Sequence, residues 1–175
     1  MPNYQILKPT PDDVLGILTV LYKTWLATYP NEQYGITVDD IEDSYKDFFT
    51  EENLAKRKES MKNIPENQNR LIAKIDGQIV GASTLVIREE FNQLQTIYVL
   101  PEFQGKGIGK AFFENHKKFL DPHKDTIVHV ATYNEGAIRF YESLGFVDTG
   151  KRFSEERFKM KSGAVLPEME LVLRR

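Results

Sequence analysis

Three glycines, Gly105, Gly107 and Gly109, alternate with other residues in a turn between two patterned segments. The segment before the turn, 93–100, has the composition of a strand, and the apolar spacing after the turn predicts a helix over about 110–120. Amides at a helix N-terminus have no acceptor within the helix, and glycine lets an anion approach them without meeting a Cβ atom. The turn is therefore suited to holding a phosphate or pyrophosphate.

The spacing of these glycines excludes two common phosphate-binding motifs. A dinucleotide motif, G-x-G-x-x-G, would need glycine where Lys110 stands. A Walker A motif would need G-x-x-x-x-G-K followed by Ser or Thr, and neither that spacing nor that residue is present. The pattern that remains is Gln104-x-x-Gly107-x-Gly109, with Lys106 and Lys110 as cations at its rim. Taken alone, it also fits a tight strand-to-helix turn without a ligand.

A second segment, N-E-G-A-I-R-F-Y-E-S-L-G-F from Asn134 to Phe146, follows a predicted strand over 126–131. It predicts a helix over 134–144 that Gly145 ends. The two segments in this order resemble the GCN5-related N-acetyltransferase (GNAT) family, whose motifs are Q/R-x-x-G-x-G/A and N-x-x-A-x-x-F-Y-x-x-x-G-F. The resemblance covers about residues 70–150, and the first 65 residues match only in layout.

The resemblance implies transfer of an acetyl group from acetyl-CoA to a primary amine, by direct attack in a ternary complex and without an acyl-enzyme. It implies that Val99 and its neighbours Ile97 and Tyr98 hold the pantetheine arm, and that Asn134 contacts that arm or the nearby backbone. Tyr141 matches the tyrosine that protonates the departing CoA thiolate. The pyrophosphate loop would comprise Gln104, Gly105, Lys106, Gly107, Ile108, Gly109 and Lys110.

Tyr141 has two interpretations at this stage. A phenol normally keeps its proton at neutral pH, so it can act as a proton donor. Its predicted helix must also pack on the sheet, and an aromatic residue there is often part of the core. We assign the neighbouring Phe140 and Phe146 wholly to packing.

The general base is where the sequence departs from the family. Family members often place a glutamate two residues before the Ile97 position, and here that residue is Gln95. An amide cannot accept a proton from an ammonium group. Either another group near the cleft accepts the proton through water, with Glu32, His129 and Glu168 as the candidates, or the amine arrives already neutral.

The acceptor side is predicted to involve the early helices, with Trp25, Tyr29 and Tyr34 as substrate-binding residues. Segment 31–52 holds eight acidic residues against one basic residue, interleaved with aromatic residues. Acids and aromatic rings suit a cationic amine, and the layout loosely resembles the bacterial spermidine/spermine N-acetyltransferases. A polyamine or other small cationic amine is the predicted acceptor. For the acidic segment itself, an ordinary solvated helix face is the interpretation that we favour.

Three other functional classes stay open. The first is a protein or peptide N-acetyltransferase with an open acceptor groove. The second is a non-catalytic acyl-CoA sensor, which is suggested only by Gln95. The third is an ATP- or NAD-binding protein, which the failed motif spacings disfavour.

Composition narrows the remaining choices. The 175 residues include no cysteine, which excludes disulfides, thiolate zinc sites and a cysteine nucleophile, and the three histidines fit no metal spacing. A formal net charge of −3 argues against a nucleic-acid partner. No apolar run approaches the roughly 20 residues that cross a membrane, and the start, MPNYQILKPT, lacks a signal-peptide pattern. We expect a cytoplasmic protein, monomeric or homodimeric.

The sequence predicts that the helices and strands form one domain over residues 1–175. We expect strands over 3–8, 70–75, 78–87, 93–100, 126–131, 146–148 and 167–173, with a hairpin turn at Asp76-Gly77. Thr10-Pro11 begins a helix, and residues 31–63 are predicted helical with a break near Thr50. The basic segment 151–161 is predicted to be a solvated loop, with an interface between subunits as the alternative. The fold class is α/β: a mixed, mostly antiparallel sheet with helices on both faces, the GNAT fold.

Overall fold

Seven strands in one sheet and five α-helices make up the fold, in a computed structural model that describes residues 4–175. The strands are β1 (Gln5–Leu7), β2 (Gln68–Ile75), β3 (Gln78–Ile87), β4 (Asn92–Val99), β5 (Thr126–Ala131), β6 (Val147–Phe153) and β7 (Glu168–Leu173). The helices are α1 (Val14–Thr28), α2 (Val38–Tyr45), α3 (Glu51–Lys62), α4 (Ile108–His116) and α5 (Glu135–Ser143).

The sheet has the order β1-β2-β3-β4-β5-β7-β6, and every neighbouring pair is antiparallel except β4 and β5. Helices cover both faces of the sheet. Successive side chains of a strand point to opposite faces, so neighbouring residues of β4 contact different helices. Tyr98 of β4 accepts a hydrogen bond from Trp25 of α1, whereas its neighbour Ile97 lies against Gly109 of α4. The predicted fold class, a mixed and mostly antiparallel sheet between helices, is confirmed.

Most predicted elements are present with shifted ends. The predicted start of the first strand at residue 3 lies outside the described residues, and β1 covers Gln5–Leu7. Asp76 and Gly77 have φ angles of 48° and 81°, as a two-residue hairpin turn between right-twisted strands requires. Helix α4 begins at Ile108, inside the glycine turn, and ends at His116. Strand β6 runs to Phe153, further than predicted.

Helices α2 and α3 are separate, as the break predicted near Thr50 indicates. Asp40 fixes the start of α2, because its carboxylate accepts hydrogen bonds from the backbone N–H and the hydroxyl of Thr37, both at 2.9 Å. The same carboxylate accepts bonds from the backbone and hydroxyl of Ser162, at 2.8 and 2.9 Å. Asp40 therefore joins α2 to the segment before β7, and only 2% of the residue is exposed.

Replacing Asp40 with alanine is expected to lower the free energy of unfolding by about 2 kcal/mol, since a helix cap and bonds to a buried carboxylate are lost. Burial raises the pKa of Asp40, but the bonds from Thr37 and Ser162 outweigh it and lower the pKa to about 2. The stabilisation is thus complete above the usual aspartate pKa and is lost as pH falls towards 2. Urea unfolding of both proteins between pH 7 and 2.5 checks this, and a difference that does not shrink with acid would contradict it.

Strands β4 and β5 diverge soon after they meet. Within the described chain they pair only at Asn92 with Thr126 and at Gln93 with Ile127. The side chain of Asn92 holds this closed end, because it donates to the carbonyls of Asp121 and Lys124 at 2.9 and 3.1 Å and accepts from the Asp121 amide at 3.0 Å. Beyond this point the two strand edges face each other across a gap, in which the candidate site lies.

Candidate active site

The gap between β4 and β5 opens into a cavity of about 620 Å³, which we call the first cavity. Its walls come from the end of β4, the glycine turn, β5 and α5. The predicted cofactor-binding residues that line it are Ile97, Tyr98, Val99, Gln104, Gly105, Gly107, Ile108, Gly109, Lys110 and Asn134. Lys106 is not among its lining residues, and its ammonium lies 4.6 Å from the centre of the Phe103 ring.

The glycine turn presents backbone amides at the start of α4. Gly105 and Gly107 have φ angles of 73° and 84°, which residues with a side chain rarely adopt. Gly107 caps the helix, and its carbonyl accepts from the amide of Ala111 at 2.9 Å. The three amides before Ala111 belong to the first turn and so have no acceptor in the helix. At Gly109, a Cβ atom would lie 3.0 Å from the Phe140 ring, so glycine allows α4 and α5 to pack closely.

The backbone of Val99 faces the gap. The amide of Leu100 donates to Val80 of β3 at 2.9 Å, and alternate residues of a strand direct their backbone groups to opposite sides. The carbonyl of Val99 accepts from the side chain of Gln104 at 3.0 Å, on the side of the first cavity. The Val99 N–H is therefore a donor directed towards the space between β4 and β5.

Tyr141 belongs to both the core and the first cavity. Its ring packs edge-on against Phe146, with centroids 5.6 Å apart, and 5% of the residue is exposed. It also lines the first cavity, and no hydrogen bond joins its hydroxyl to another described residue. Burial, with a smaller effect of Tyr98, raises the pKa of the Tyr141 phenol well above its usual value. Packing and proton donation are thus compatible roles for this side chain.

A second cavity, of about 560 Å³, adjoins the first on the side of α1. The two cavities share the lining residues Tyr29, Gln95, Thr96, Tyr98, His129 and Ala131. Aromatic rings dominate the second cavity, and they come from Trp25, Tyr29, Tyr45, Phe48, Tyr98 and Phe158. Trp25 packs edge-on against Tyr29, with ring centroids 4.5 Å apart, and its indole N–H donates to Tyr98 at 3.2 Å.

Of the predicted substrate-binding residues, Trp25 and Tyr29 line the second cavity and Tyr34 lines neither. Tyr34 stacks on Tyr133, with centroids 5.1 Å apart. The acidic side chains of segment 31–52 are also outside the lining of both cavities. Among the described residues, the acids that line the second cavity are Glu155 and Glu168.

The segment 151–161 differs from the solvated loop that the sequence predicts. Residues up to Phe153 continue β6, and a short 3-10 helix follows at Glu156–Phe158. Five side chains of the segment line the second cavity, namely Glu155, Arg157, Phe158, Lys159 and Met160. Two of the three apolar residues in this basic segment, Phe158 and Met160, line the cavity, and they are the sequence signal that the segment covers it.

The candidate general bases have different surroundings. Glu32 is exposed and lines neither cavity. His129 lies 3.3 Å from Glu170 and 3.7 Å from Glu155. Glu168 is 6% exposed, and its Oε2 atom is buried without a hydrogen-bond partner. Burial, and then the charge of Glu155, raises the pKa of Glu168 to about 7.

The described histidines do not form a metal site. His116 is buried, and its ring nitrogens lie 2.8 Å from the hydroxyl of Ser83 and 3.1 Å from the amide of Asn69. Burial lowers the pKa of His116 to about 4, so the ring is neutral and structural. Residues 4–175 contain no group of three or more His, Asp or Glu residues that could hold a metal ion. None of the helices in this part of the chain is both long and apolar enough to cross a membrane.

Comparison with known proteins gives one family. The family model of the acetyltransferase (GNAT) domain matches residues 27–162. The uncharacterized N-acetyltransferase CT2212 from Chlorobaculum tepidum is 26% identical over 102 residues, which cover 57% of this chain and 64% of that protein. The match therefore spans less than two thirds of that relative.

Two solved structures share the fold over nearly their whole length. PaiA N-acetyltransferase from Thermoplasma acidophilum, in complex with coenzyme A, aligns with a TM-score of 0.67 and 22% identity over 96% of this chain and 98% of its own. YncA from Salmonella typhimurium, with acetyl-CoA, aligns with a TM-score of 0.64 and 19% identity over 98% of this chain and 94% of its own. These likenesses show the fold, and the family model covers most of the chain. The chain belongs to the GNAT acetyltransferase family.

Proposed function

We propose that this chain transfers the acetyl group of acetyl-CoA to a primary amine of a small molecule. The observation that carries the proposal is the meeting of two cavities where β4 and β5 diverge. One cavity ends at the free amides of the glycine turn, and the other is lined by aromatic rings and a buried carboxylate. Because the two cavities share lining residues, a donor in one and an acceptor in the other would lie close together. This supplies the proximity that a two-substrate transfer needs.

The first cavity fits acetyl-CoA, which supplies the acetyl group as a thioester. Free amides at the start of α4 suit a pyrophosphate. A Cβ atom at Gly105 would have no other atom within 4 Å, so the space beside this glycine is open to an anion. Lys110 adds a cation at this wall. The backbone of Ile97 and Val99 along the gap would hold the pantetheine arm. The structures of two family relatives with coenzyme A or acetyl-CoA support this assignment.

Two groups of the chain would do the chemistry on the donor side. The Val99 N–H, which faces the gap, would donate to a carbonyl oxygen on which negative charge develops. Tyr141 would give its proton to the leaving sulfur, and its raised pKa keeps that proton in place until it is needed.

The acceptor would lie in the second cavity. Aromatic walls suit an ammonium group through cation–π contact, and they equally suit an amine that carries a ring. A polyamine, the acceptor that the sequence resemblance implies, would have to place its amino groups on Glu155 and Glu168, because the acids of segment 31–52 lie elsewhere.

Three cationic side chains around the second cavity favour a second candidate. Arg57, Arg157 and Lys159 line the second cavity, so a carboxylate would find partners there. An amino acid or a peptide N-terminus would present both the amine and the carboxyl or carbonyl groups. This observation keeps a peptide acceptor as the alternative to a free amine.

The test is CoA release from acetyl-CoA by the purified protein with spermidine, 2-phenylethylamine, free amino acids, and peptides with a lysine or a free N-terminus. Release that depends on one class of amine establishes the transfer and identifies the acceptor class. Tight acetyl-CoA binding by calorimetry, with no acceptor-dependent release, would favour the sensor. Absence of acetyl-CoA binding would contradict the proposal altogether.

A further inference from the structure

We infer that Glu168 is the general base that takes the proton of the acceptor's ammonium group. The inference rests on the proposed function, and it assigns a catalytic role to a residue far in the sequence from both family motifs. Gln95 stands at the position where the family often has a glutamate, and its amide cannot accept a proton from an ammonium group.

The geometry of Glu168 carries the inference. It is the first residue of β7, where it pairs with Ala131 of β5 and with Phe153 of β6, so its backbone is held from both sides. Its side chain lines the second cavity, next to the residues that the two cavities share. A buried carboxylate oxygen without a partner is costly to keep, and such groups concentrate at functional sites. An incoming ammonium group would be the missing partner.

The groups that face Glu168 set its acidity. The same cavity is lined by His129 of β5, Tyr98 of β4 and Tyr29 just after α1. Four charged residues also line it: Glu155 and Arg157 after β6, Arg57 of α3, and Lys159 just after the 3-10 helix. Burial is the main cause that raises the pKa of Glu168 to about 7; Glu155 adds to the rise and Arg157 opposes it. A base with a pKa near 7 is well matched to accept a proton at neutral pH.

The other candidates are less suitable. Glu32 is exposed outside both cavities. Both ring nitrogens of His129 lie beside carboxylates, those of Glu170 and Glu155, and a carboxylate accepts a hydrogen bond from a ring N–H, so the ring is placed as a donor. Glu168 is the carboxylate that combines burial, an unpaired oxygen and a place in the cavity wall.

The protons balance with Tyr141 as the second group. Glu168 takes one proton from the ammonium and later releases it to solvent. The nitrogen forms the N–C bond while the C–S bond breaks. Tyr141 gives its proton to the sulfur and regains the one that the nitrogen loses as the amide forms. The products are the acetylated amine, the thiol and one proton.

The experiment compares Glu168→Gln with the wild type for spermidine and 2-phenylethylamine. At pH 7 we expect kcat/KM for the amine to fall about 100-fold, the usual effect of a general base, with the KM for acetyl-CoA unchanged. In the wild type, kcat/KM should rise with pH and level off above about 7. In the variant it should keep rising, because only amine that is already neutral can react.

A second substrate separates a base from a structural residue. With 2,2-difluoro-2-phenylethylamine, whose amine loses its proton more readily, the loss in Glu168→Gln should become smaller. Glu168→Asp should recover part of the activity, whereas Glu32→Gln is the matched control and should stay within about threefold of the wild type.

The variant should fold, because glutamine resembles the protonated side chain. A raised pKa means that ionisation of Glu168 costs stability as pH rises from its unfolded value through about 7, so the variant should melt at the same or a higher temperature at pH 8. Full activity and an unchanged pH profile in Glu168→Gln would overturn the inference alone. A wild type that acetylates no amine would overturn the proposed function and, with it, this inference.

Discussion

Replacement of Tyr141 by phenylalanine is expected to lower the rate of acceptor-dependent CoA release about 100-fold, which is the usual contribution of a proton donor. The ring that packs against Phe146 is retained, and only the hydroxyl at the first cavity is removed. The melting temperature and the affinity for acetyl-CoA should therefore change little. Stopped-flow or steady-state release of CoA, together with calorimetric binding, checks the split between rate and affinity.

Tyr133→Phe is the matched control for this change. Its hydroxyl donates to the Tyr29 carbonyl at 2.8 Å, and Tyr133 lines neither cavity. That variant should lose about 1 kcal/mol of stability and keep its rate. If Tyr141→Phe instead lost stability and kept its rate, the residue would be part of the core only.

The second large effect is expected at the glycine turn. Gly107→Val should weaken acetyl-CoA binding about 100-fold, because a β-branched residue does not tolerate a φ of 84° and the turn must rearrange. The amides that follow would then lose their alignment, and losing two bonds to a charged phosphate costs about 3 kcal/mol. Calorimetric titration with acetyl-CoA and with CoA measures the change.

Gly150→Val separates strain from binding. Gly150 has a φ of 83°, nearly that of Gly107, and the space around its Cβ position is open. It lies in β6 and lines neither cavity. Both variants should lose similar stability, about 1–3 kcal/mol, and only Gly107→Val should lose affinity. Equal affinities in the two variants would mean that the turn does not hold the donor.

Most residues that line the first cavity could be predicted from sequence, because they belong to short local motifs. The glycine turn and the segment from Asn134 to Tyr141 are short, and each has a spacing that a backbone conformation demands. The φ angles of Gly105 and Gly107 and the cap at Asn134, which accepts from the amide of Ala137 at 3.1 Å, follow from those spacings. Element types followed from periodicity in the same way, and their ends moved by a few residues because capping competes with pattern.

Apart from Trp25 and Tyr29, the lining of the second cavity could not be predicted, because tertiary packing assembles it. Its wall joins Trp25 of α1, Tyr45 of α2, Gln95 of β4, Phe158 and Glu168, which are spread over most of the chain. The burial that gives Glu168 its unusual acidity comes from these distant neighbours, and no local pattern carries it. The acids of segment 31–52 lie outside both cavities, and charge in a sequence does not say which way a helix face turns.

The short pairing of β4 with β5 limits how firmly the two parts of the sheet are held together. β1 to β4 and β5 to β7 form two half-sheets, which Asn92 and Gln93 join at one corner through their pairing with Thr126 and Ile127. Backbone groups along the open edges, such as the Val99 N–H, lack the strand partner that an uninterrupted sheet would give them. A molecule that lies in the gap and hydrogen-bonds to both edges would join the two half-sheets. We therefore expect the sheet to be more rigid when a ligand occupies the gap than when the gap is empty.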